Sequence, residues 1–235
     1  MPLIPAYKPD ESLLKLIAGL GHYPQIVVIN DGSGPEFDHI FQALPPGVTL
    51  LQHEVNRGKG AALKTGMAYI QEHFPDCLGL VTVDADGQHR LADVERVCQE
   101  LTAHPKALVL GVRSFTRAGI PLRSRVGNIV TRLLFFALVG KFIRDTQTGL
   151  RPIPTSYIPE LLQLKPDRYE YELEVLLACR RRPVRQVTIE TVYIDENRSS
   201  HFDPVGDSLK IYKTLIRCRL RSLKNTLSGR GHRSS

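Results

Sequence analysis

Apolar residues along this chain gather in short, nearly continuous runs: Pro2–Ala6, Gln25–Asn30, Val48–His53, Leu78–Val83 and Ala107–Val112. Runs this short, rich in Val and Ile, suit strands buried on both faces, so they predict a largely parallel sheet. Between them the period lengthens. Glu11–Leu20 puts Leu13, Leu14, Ile17 and Leu20 on one stripe; Gly60–His73 does so with Leu63, Met67 and Ile70, and Leu91–Ala103 with Val94, Val97, Cys98 and Leu101. Each stripe predicts a helix lying on the sheet. Strand alternating with helix predicts an α/β fold, a mostly parallel central sheet flanked by helices.

Beyond about Pro121 the pattern changes. Asn128–Ile143 is strongly apolar but interrupted by Arg132 and Lys141. A bilayer span needs about 20 apolar residues, so this stretch predicts a core or interfacial helix. Tyr169–Arg180 predicts a further helix, Arg185–Tyr193 a strand returning to the sheet, Asp195–Asp207 a loop and Ser208–Leu220 a last helix. One domain is expected over residues 1–215, with a separate tail over 216–235.

In open α/β sheets, ligands bind beyond the carboxyl ends of the strands. The residues at those ends are Tyr7, Lys8 and Asp10, then Asn30-Asp31-Gly32-Ser33, Asn56-Arg57-Gly58-Lys59-Gly60, Asp84-Ala85-Asp86-Gly87-Gln88-His89, and Arg113. Solvation accounts for any one of them. Acids, bases and glycines on five successive ends argue for a single cleft.

Charge adds a second feature. The net charge of +7 is concentrated at the end: Arg217, Arg219, Arg221, Lys224, Arg230 and Arg233 carry six positive charges with no acid among them, which leaves the preceding chain at +1. Such a tail either attaches to an anionic leaflet, at about 1 kcal/mol per basic residue, or is simply solvated. No signal peptide is expected from the first residues. The four cysteines show no metal-ligand spacing, so free thiols in a reducing cytosol are expected.

Gly58-Lys59-Gly60 fits neither phosphate-loop consensus. Two milder readings stand: backbone N–H groups at a helix start that approach an anion, with Lys59 adding charge, or a plain strand-to-helix turn. Asp84-Ala85-Asp86 says more. Two acids one residue apart at a strand end can converge on Mg²⁺ or Mn²⁺, with Gln88 as a neutral oxygen nearby. The competing reading is a helix N-cap, with Asp86 or Asp93 opening the next helix.

Taken in order, IPAYKP (Ile4–Pro9), VINDGS (Val28–Ser33), NRGKGAAL (Asn56–Leu63), VDADGQH (Val83–His89) and DTQTGLR (Asp145–Arg151) resemble family 2 glycosyltransferases, and within them the polyprenyl-phosphate branch of dolichol-phosphate mannose and glucose synthases. The resemblance implies the GT-A fold, which is Rossmann-like, a UDP- or GDP-sugar donor, a divalent metal and a polyprenyl phosphate acceptor. It places the nucleoside against Pro5, Ala6, Tyr7 and Asp31, with Asp31 accepting from the base. It gives Lys59 and Asp84 to the donor, and Asp84, Asp86 and Gln88 to the metal. Arg113, Arg123, Ser124 and Arg125 would meet the acceptor phosphate. Asp145, Thr148, Gly149 and Arg151 would form a conformational motif behind the sugar. Where the family usually has Asn, this chain has Lys8.

Asn197-Arg198-Ser199-Ser200-His201-Phe202 also resembles that branch. Arg198 and His201 either close over the diphosphate or belong to a merely hydrophilic loop. Asp86, Arg113 and Arg198 are the expected catalytic groups. A phosphate acceptor, with a second pKa near ~6, needs no general base, so Glu170, Glu172 and Glu174 are left to touch the donor sugar or position the acceptor. The expected place of action is the cytoplasmic face of a membrane, attached peripherally or through a separate membrane protein, with no nucleic acid partner. Two other classes remain: a family 2 enzyme acting on a saccharide or soluble hydroxyl, and a non-enzymatic module binding anionic lipid. A nucleotidyltransferase would need a basic Gly-rich loop on the first strand, which IPAYKP lacks.

Overall fold

Pro2–Ala6 forms β1, and its alternating side chains set the layers of the molecule. Leu3 enters a core with Val27, Ile29, Leu63, Met67 and Ile70, while Ile4 enters a second core with Leu13, Ile17, Val28, Val94 and Val97. Successive strand side chains point to opposite faces, so a strand covered on both sides is apolar at every position.

The computed structural model describes residues 1–113, 132–133, 135–137, 139–165, 167–168 and 170–190. After β1 come α1 (Ser12–Gly19), β2 (Ile26–Asp31), α2 (Asp38–Gln42), β3 (Val48–His53), α3 (Lys59–His73), β4 (Gly79–Thr82), α4 (Leu91–Ala103), β5 (Leu108–Arg113), β6 (Arg151–Pro154), α5 (Ile158–Leu162), α6 (Glu170–Ala178) and β7 (Val184–Ile189). The main sheet runs β3-β2-β1-β4-β6, parallel except for the antiparallel β4–β6 pair. β5 and β7 pair in parallel, and β5 adjoins the main sheet where Gly111 N–H donates to Leu150 O (2.9 Å). The core on one face takes side chains from α1 and α4, and the core on the other takes them from α3, α5 and α6.

This order places the site. The chain moves outward from β1 through β2 to β3, then returns to the other side of β1 as β4. The crevice between the carboxyl ends of β1 and β4 is therefore the topological switch point, where this class of sheet binds ligands.

All five expected early strands are present within a residue or two at their ends, and so are the three early helices. The strand expected over Arg185–Tyr193 is Val184–Ile189, paired to β5. β6 was not expected. Within Asn128–Ile143, residues 132, 133, 135–137 and 139 are helical; Phe135 is buried, whereas Leu133 and Phe136, like Phe142 just beyond, are about half exposed. Among the described residues no helix is long and apolar enough to cross a membrane. The segments expected at Asp195–Asp207, Ser208–Leu220 and the basic tail lie outside the described residues.

Candidate active site

β4 ends at Thr82, and the chain then turns through Asp84-Ala85-Asp86-Gly87. Gln88 N–H donates to Asp86 Oδ1 (3.0 Å), and Gly87 takes a positive φ of 71° that side chains rarely adopt. Neither Asp86 nor Asp93 caps α4: its N-cap residue is Arg90, with no side-chain capping bond, and buried Asp93 accepts from Arg96 and from Glu190 N–H. The capping alternative for the two acids therefore falls away.

Asp84 is instead part of an ion cluster. Lys59 Nζ lies 2.7 Å from Asp84 Oδ1 and 3.1 Å from Glu172 Oε2, while His89 Nε2 is 3.5 Å from Asp84 Oδ2. Lys59 is the first residue of α3, where a cation opposes the helix dipole. The two carboxylates account for its presence there. Burial by itself would raise the Asp84 pKa, but Lys59 and His89 together outweigh it and hold the carboxyl well below the usual range. Burial would likewise lower Lys59, and Asp84 and Glu172 together raise it above its ordinary value. Asp86 moves the other way: burial, then the Asp84 charge, push its pKa up. His89 has both ring nitrogens buried without a hydrogen-bond partner, and so does Glu172 Oε1.

A backing layer fixes Asp84 from behind. Thr82 Oγ1 donates to Gly149 O (2.6 Å), and a Cβ added to Gly149 would stand 2.0 Å from Asp84 Oδ2. Gly149→Ala should therefore push the carboxylate out of line and lower kcat roughly 10²-fold, with an unchanged far-ultraviolet spectrum. A fully active Gly149→Ala enzyme would remove Asp84 from the reaction. Arg151 is 2% exposed and donates Nε to Thr148 O (2.6 Å), one terminal nitrogen to Thr146 O (3.0 Å) and the other to Glu172 O. It thus ties the loop behind Asp84 to the start of α6.

At the end of β5, Arg113 grips Asp145 in a bidentate pair, Nε to Oδ2 at 2.6 Å and Nη2 to Oδ1 at 3.0 Å. Asp145 is fully buried while about a quarter of the Arg113 side chain stays exposed. Burial would raise the Asp145 pKa, but Arg113 overrides it and lowers it. The sign of the linkage follows. Above the unfolded value of about 3.9 this pair stabilises the fold fully, and the contribution fades as pH falls through the depressed folded value. The urea midpoints of the parent and Asp145→Asn should differ by a constant amount above about pH 5 and converge in stronger acid. A gap that stays constant into acid would contradict the pair.

Asp31, at the end of β2, is held by its own neighbours. It is 2% exposed. Its Oδ1 accepts from His53 Nδ1 (2.7 Å) and Arg57 N–H (3.0 Å), and its Oδ2 from Asn56 Nδ2 (3.0 Å) and Gly58 N–H (2.8 Å). These four donors match the capacity of a carboxylate, so Asp31 faces the Asn56–Gly58 loop and not the cleft. The N–H of Ala61 goes to Asp167 O (2.9 Å), and Gly58 and Gly60 leave room for Asp167, Arg168 and Tyr171: a Cβ on Gly60 would stand 2.5 Å from that of Tyr171. Protein thus packs against the start of α3, as the reading of Gly58-Lys59-Gly60 as a strand-to-helix turn would have it. Pro5 and Ala6 end β1 beside Ile29 and Asn30. Tyr7 follows, partly exposed, with the Lys8 ammonium 5.5 Å from its ring centre. Lys8 has φ 49°, a left-handed conformation that Asn tolerates better than Lys.

Sequence reasoning missed His53, although it pairs in register with Asp31, and it did not single out Glu172 from its two acidic neighbours. Arg123, Ser124, Arg125, Arg198 and His201 lie outside the described residues.

Among the described residues no group of three or more His, Cys, Asp and Glu is arranged to hold a metal unaided. Mg²⁺ and Mn²⁺ usually need only one or two carboxylates, completing their shell with water and substrate phosphate. Asp84 and Asp86 supply two, one residue apart in the turn that follows β4. These residues fit such an ion.

Residues 3–158 match the family described as glycosyl transferase family 2. The chain is 30% identical over 222 residues to an uncharacterised protein of Methanocaldococcus jannaschii, covering 91% of this chain and 90% of that one. It is also 30% identical to the UDP-N-acetylglucosamine–dolichyl-phosphate N-acetylglucosaminyltransferase of Methanococcus voltae, covering 82% and 85%. Among solved structures, glucosyl-3-phosphoglycerate synthase from Mycobacterium tuberculosis with Mn²⁺ and uridine-diphosphate-glucose superimposes with a TM-score of 0.68 at 19% identity, covering 92% of this chain and 77% of that one. The fold is GT-A. The chain belongs to glycosyltransferase family 2 and is a glycosyltransferase.

Proposed function

We propose that this enzyme transfers a sugar from a nucleotide-diphospho-sugar, a UDP-sugar in the first instance, to a polyprenyl phosphate such as dolichyl or undecaprenyl phosphate, with inversion at the anomeric carbon. The observation that carries this reading is the partly buried cluster of Asp84, Lys59 and Glu172 at the switch point, in a chain whose Methanococcus voltae relative is named for a dolichyl-phosphate acceptor. Asp84 and Asp86, with Gln88, would hold Mg²⁺ or Mn²⁺, which supplies Lewis-acid neutralisation of the departing nucleoside diphosphate. Tyr7 and the Asn56–Gly58 loop that Asp31 organises would flank the base. Arg198 would close over the diphosphate.

Arg113, oriented by Asp145, would bind the acceptor phosphate together with Arg123, Ser124 and Arg125. The phosphate oxygen is already anionic near neutrality, so attack needs orientation and not proton removal. Glu172 is engaged by Lys59, in keeping with that economy. The lipid would lie along the exposed apolar surface of Leu133, Phe136 and Phe142, where Arg132 stacks 5.3 Å from the Phe142 ring centre. Peripheral attachment to the cytoplasmic leaflet follows, aided by the basic tail.

The test has two parts. UDP- and GDP-sugars are screened for metal-dependent thermal stabilisation of the full chain, and the stabilising donor is then incubated with polyprenyl phosphate vesicles. A mild-acid-labile sugar in the lipid extract is expected. Transfer to a water-soluble acceptor only would sink the lipid reading, and no metal-dependent donor would sink the whole.

A further inference from the structure

Two carboxylates, Asp84 and Glu172, share one ammonium, and the sharing is uneven. Lys59 sits 2.7 Å from Asp84 but 3.1 Å from Glu172, whose Oε1 is buried with no partner. An ammonium offers three donors on a flexible stem. A small swing of that stem exchanges the contact with Asp84 for a fuller one with Glu172. Asp84 Oδ1, the oxygen that Lys59 holds, belongs to the carboxylate that a divalent ion would also require.

We propose that Lys59 is a displaceable counter-ion. It neutralises Asp84 until a divalent cation takes that carboxylate, then withdraws to Glu172, which acts as a positioning residue for the metal site. This rests on the metal reading given above. The cluster's two requirements are thereby reconciled. Carboxylates drawn partly out of water and left without a cation destabilise the fold, yet a cation bound permanently would block the metal. One lysine with two addresses meets both. Arg151 sets the second address by holding the Glu172 carbonyl, and Gly149 sets the first by leaving room for Asp84.

A simple structural salt bridge would not couple the two residues in metal binding, and that difference is measurable. Mn²⁺ alone is titrated into the full chain, with free Mn²⁺ read by electron paramagnetic resonance. The proteins compared are the parent, Lys59→Gln, Glu172→Gln, the double variant and Asp84→Asn. If Lys59 competes with the ion, the observed affinity is scaled by the fraction of Asp84 that the lysine leaves open. Glu172→Gln strands Lys59 on Asp84 and should weaken Mn²⁺ binding. Lys59→Gln should tighten it by about threefold in the parent but by about tenfold in the Glu172→Gln background, a non-additive cycle. Equal factors in both backgrounds mean that Lys59 only repels the ion through space, and they overturn the proposal while leaving the metal site standing. Unchanged affinity in Asp84→Asn, or no Mn²⁺ binding by any protein, overturns the metal reading and the proposal with it. Thermal unfolding of each variant identifies any that fails to fold, and Lys59→Met then replaces Lys59→Gln in the cycle.

Discussion

Asp84→Asn is expected to lower the rate of sugar transfer about 10³-fold, the scale seen when a group aimed at developing charge is removed from an active site. In free-energy terms that is about 4 kcal/mol, at 1.36 kcal/mol per decade. The fold should survive, because the amide oxygen still accepts from Lys59 and the ammonium keeps Glu172 as its ionic partner. No buried charge is left alone. The unfolding temperature should therefore stay within about 4 °C of the parent, the equivalent of about 1 kcal/mol or a little more for a domain of this size. Stabilisation by nucleotide with Mn²⁺ should disappear in the same variant. A radiolabelled-sugar transfer assay reporting activity within tenfold of the parent would remove Asp84 from the catalytic centre.

Arg151→Met should act in the opposite proportion, on stability first. The Arg151 side chain is closed off from solvent and donates to the carbonyls of Thr146, Thr148 and Glu172. A methionine of similar length fills the space but donates nothing. Each stranded buried acceptor costs roughly 1–3 kcal/mol, partly offset because a buried cation is no longer desolvated. A net loss of about 3 kcal/mol is expected, or about 6–12 °C in unfolding temperature. Activity should fall as well, since the loop behind Asp84 and the start of α6 lose their tie. Urea unfolding checks the first effect. A midpoint equal to the parent's would show that the three carbonyls do not depend on the guanidinium.

Much of this was legible in the sequence because the central strands are covered on both faces, so burial alone writes them as continuous apolar runs. β6 escaped for a definite reason: Pro152 and Pro154 remove two backbone donors, which suits a strand at the edge of the main sheet but erases the usual strand signal. The polar strand ends gave the cleft, yet not its wiring. Nothing in the local sequence says that Arg151 is buried, since arginine is almost always exposed. That Asp31 turns away from the cleft depends on the register Asp31↔His53 and on a loop 25–27 residues further on. The choice of Glu172 over Glu170 and Glu174 depends on how α6 lies against α3, which periodicity does not fix. Short-range pattern gave the elements, and long-range hydrogen bonds assigned the roles.

Gly58 and Lys59 are consecutive, yet they serve different carboxylates: the Gly58 N–H holds Asp31 on β2, and the Lys59 ammonium holds Asp84 beyond β4. One peptide unit therefore links the β2 end of the cleft to the β4 end, and it is continuous with the first turn of a fifteen-residue helix. The spacing between the two ends is as stiff as α3 itself. Substitutions that altered the distance between Asp31 and Asp84 would have to rebuild that helix start, whereas changes to the chain beyond Asp84 need not touch it.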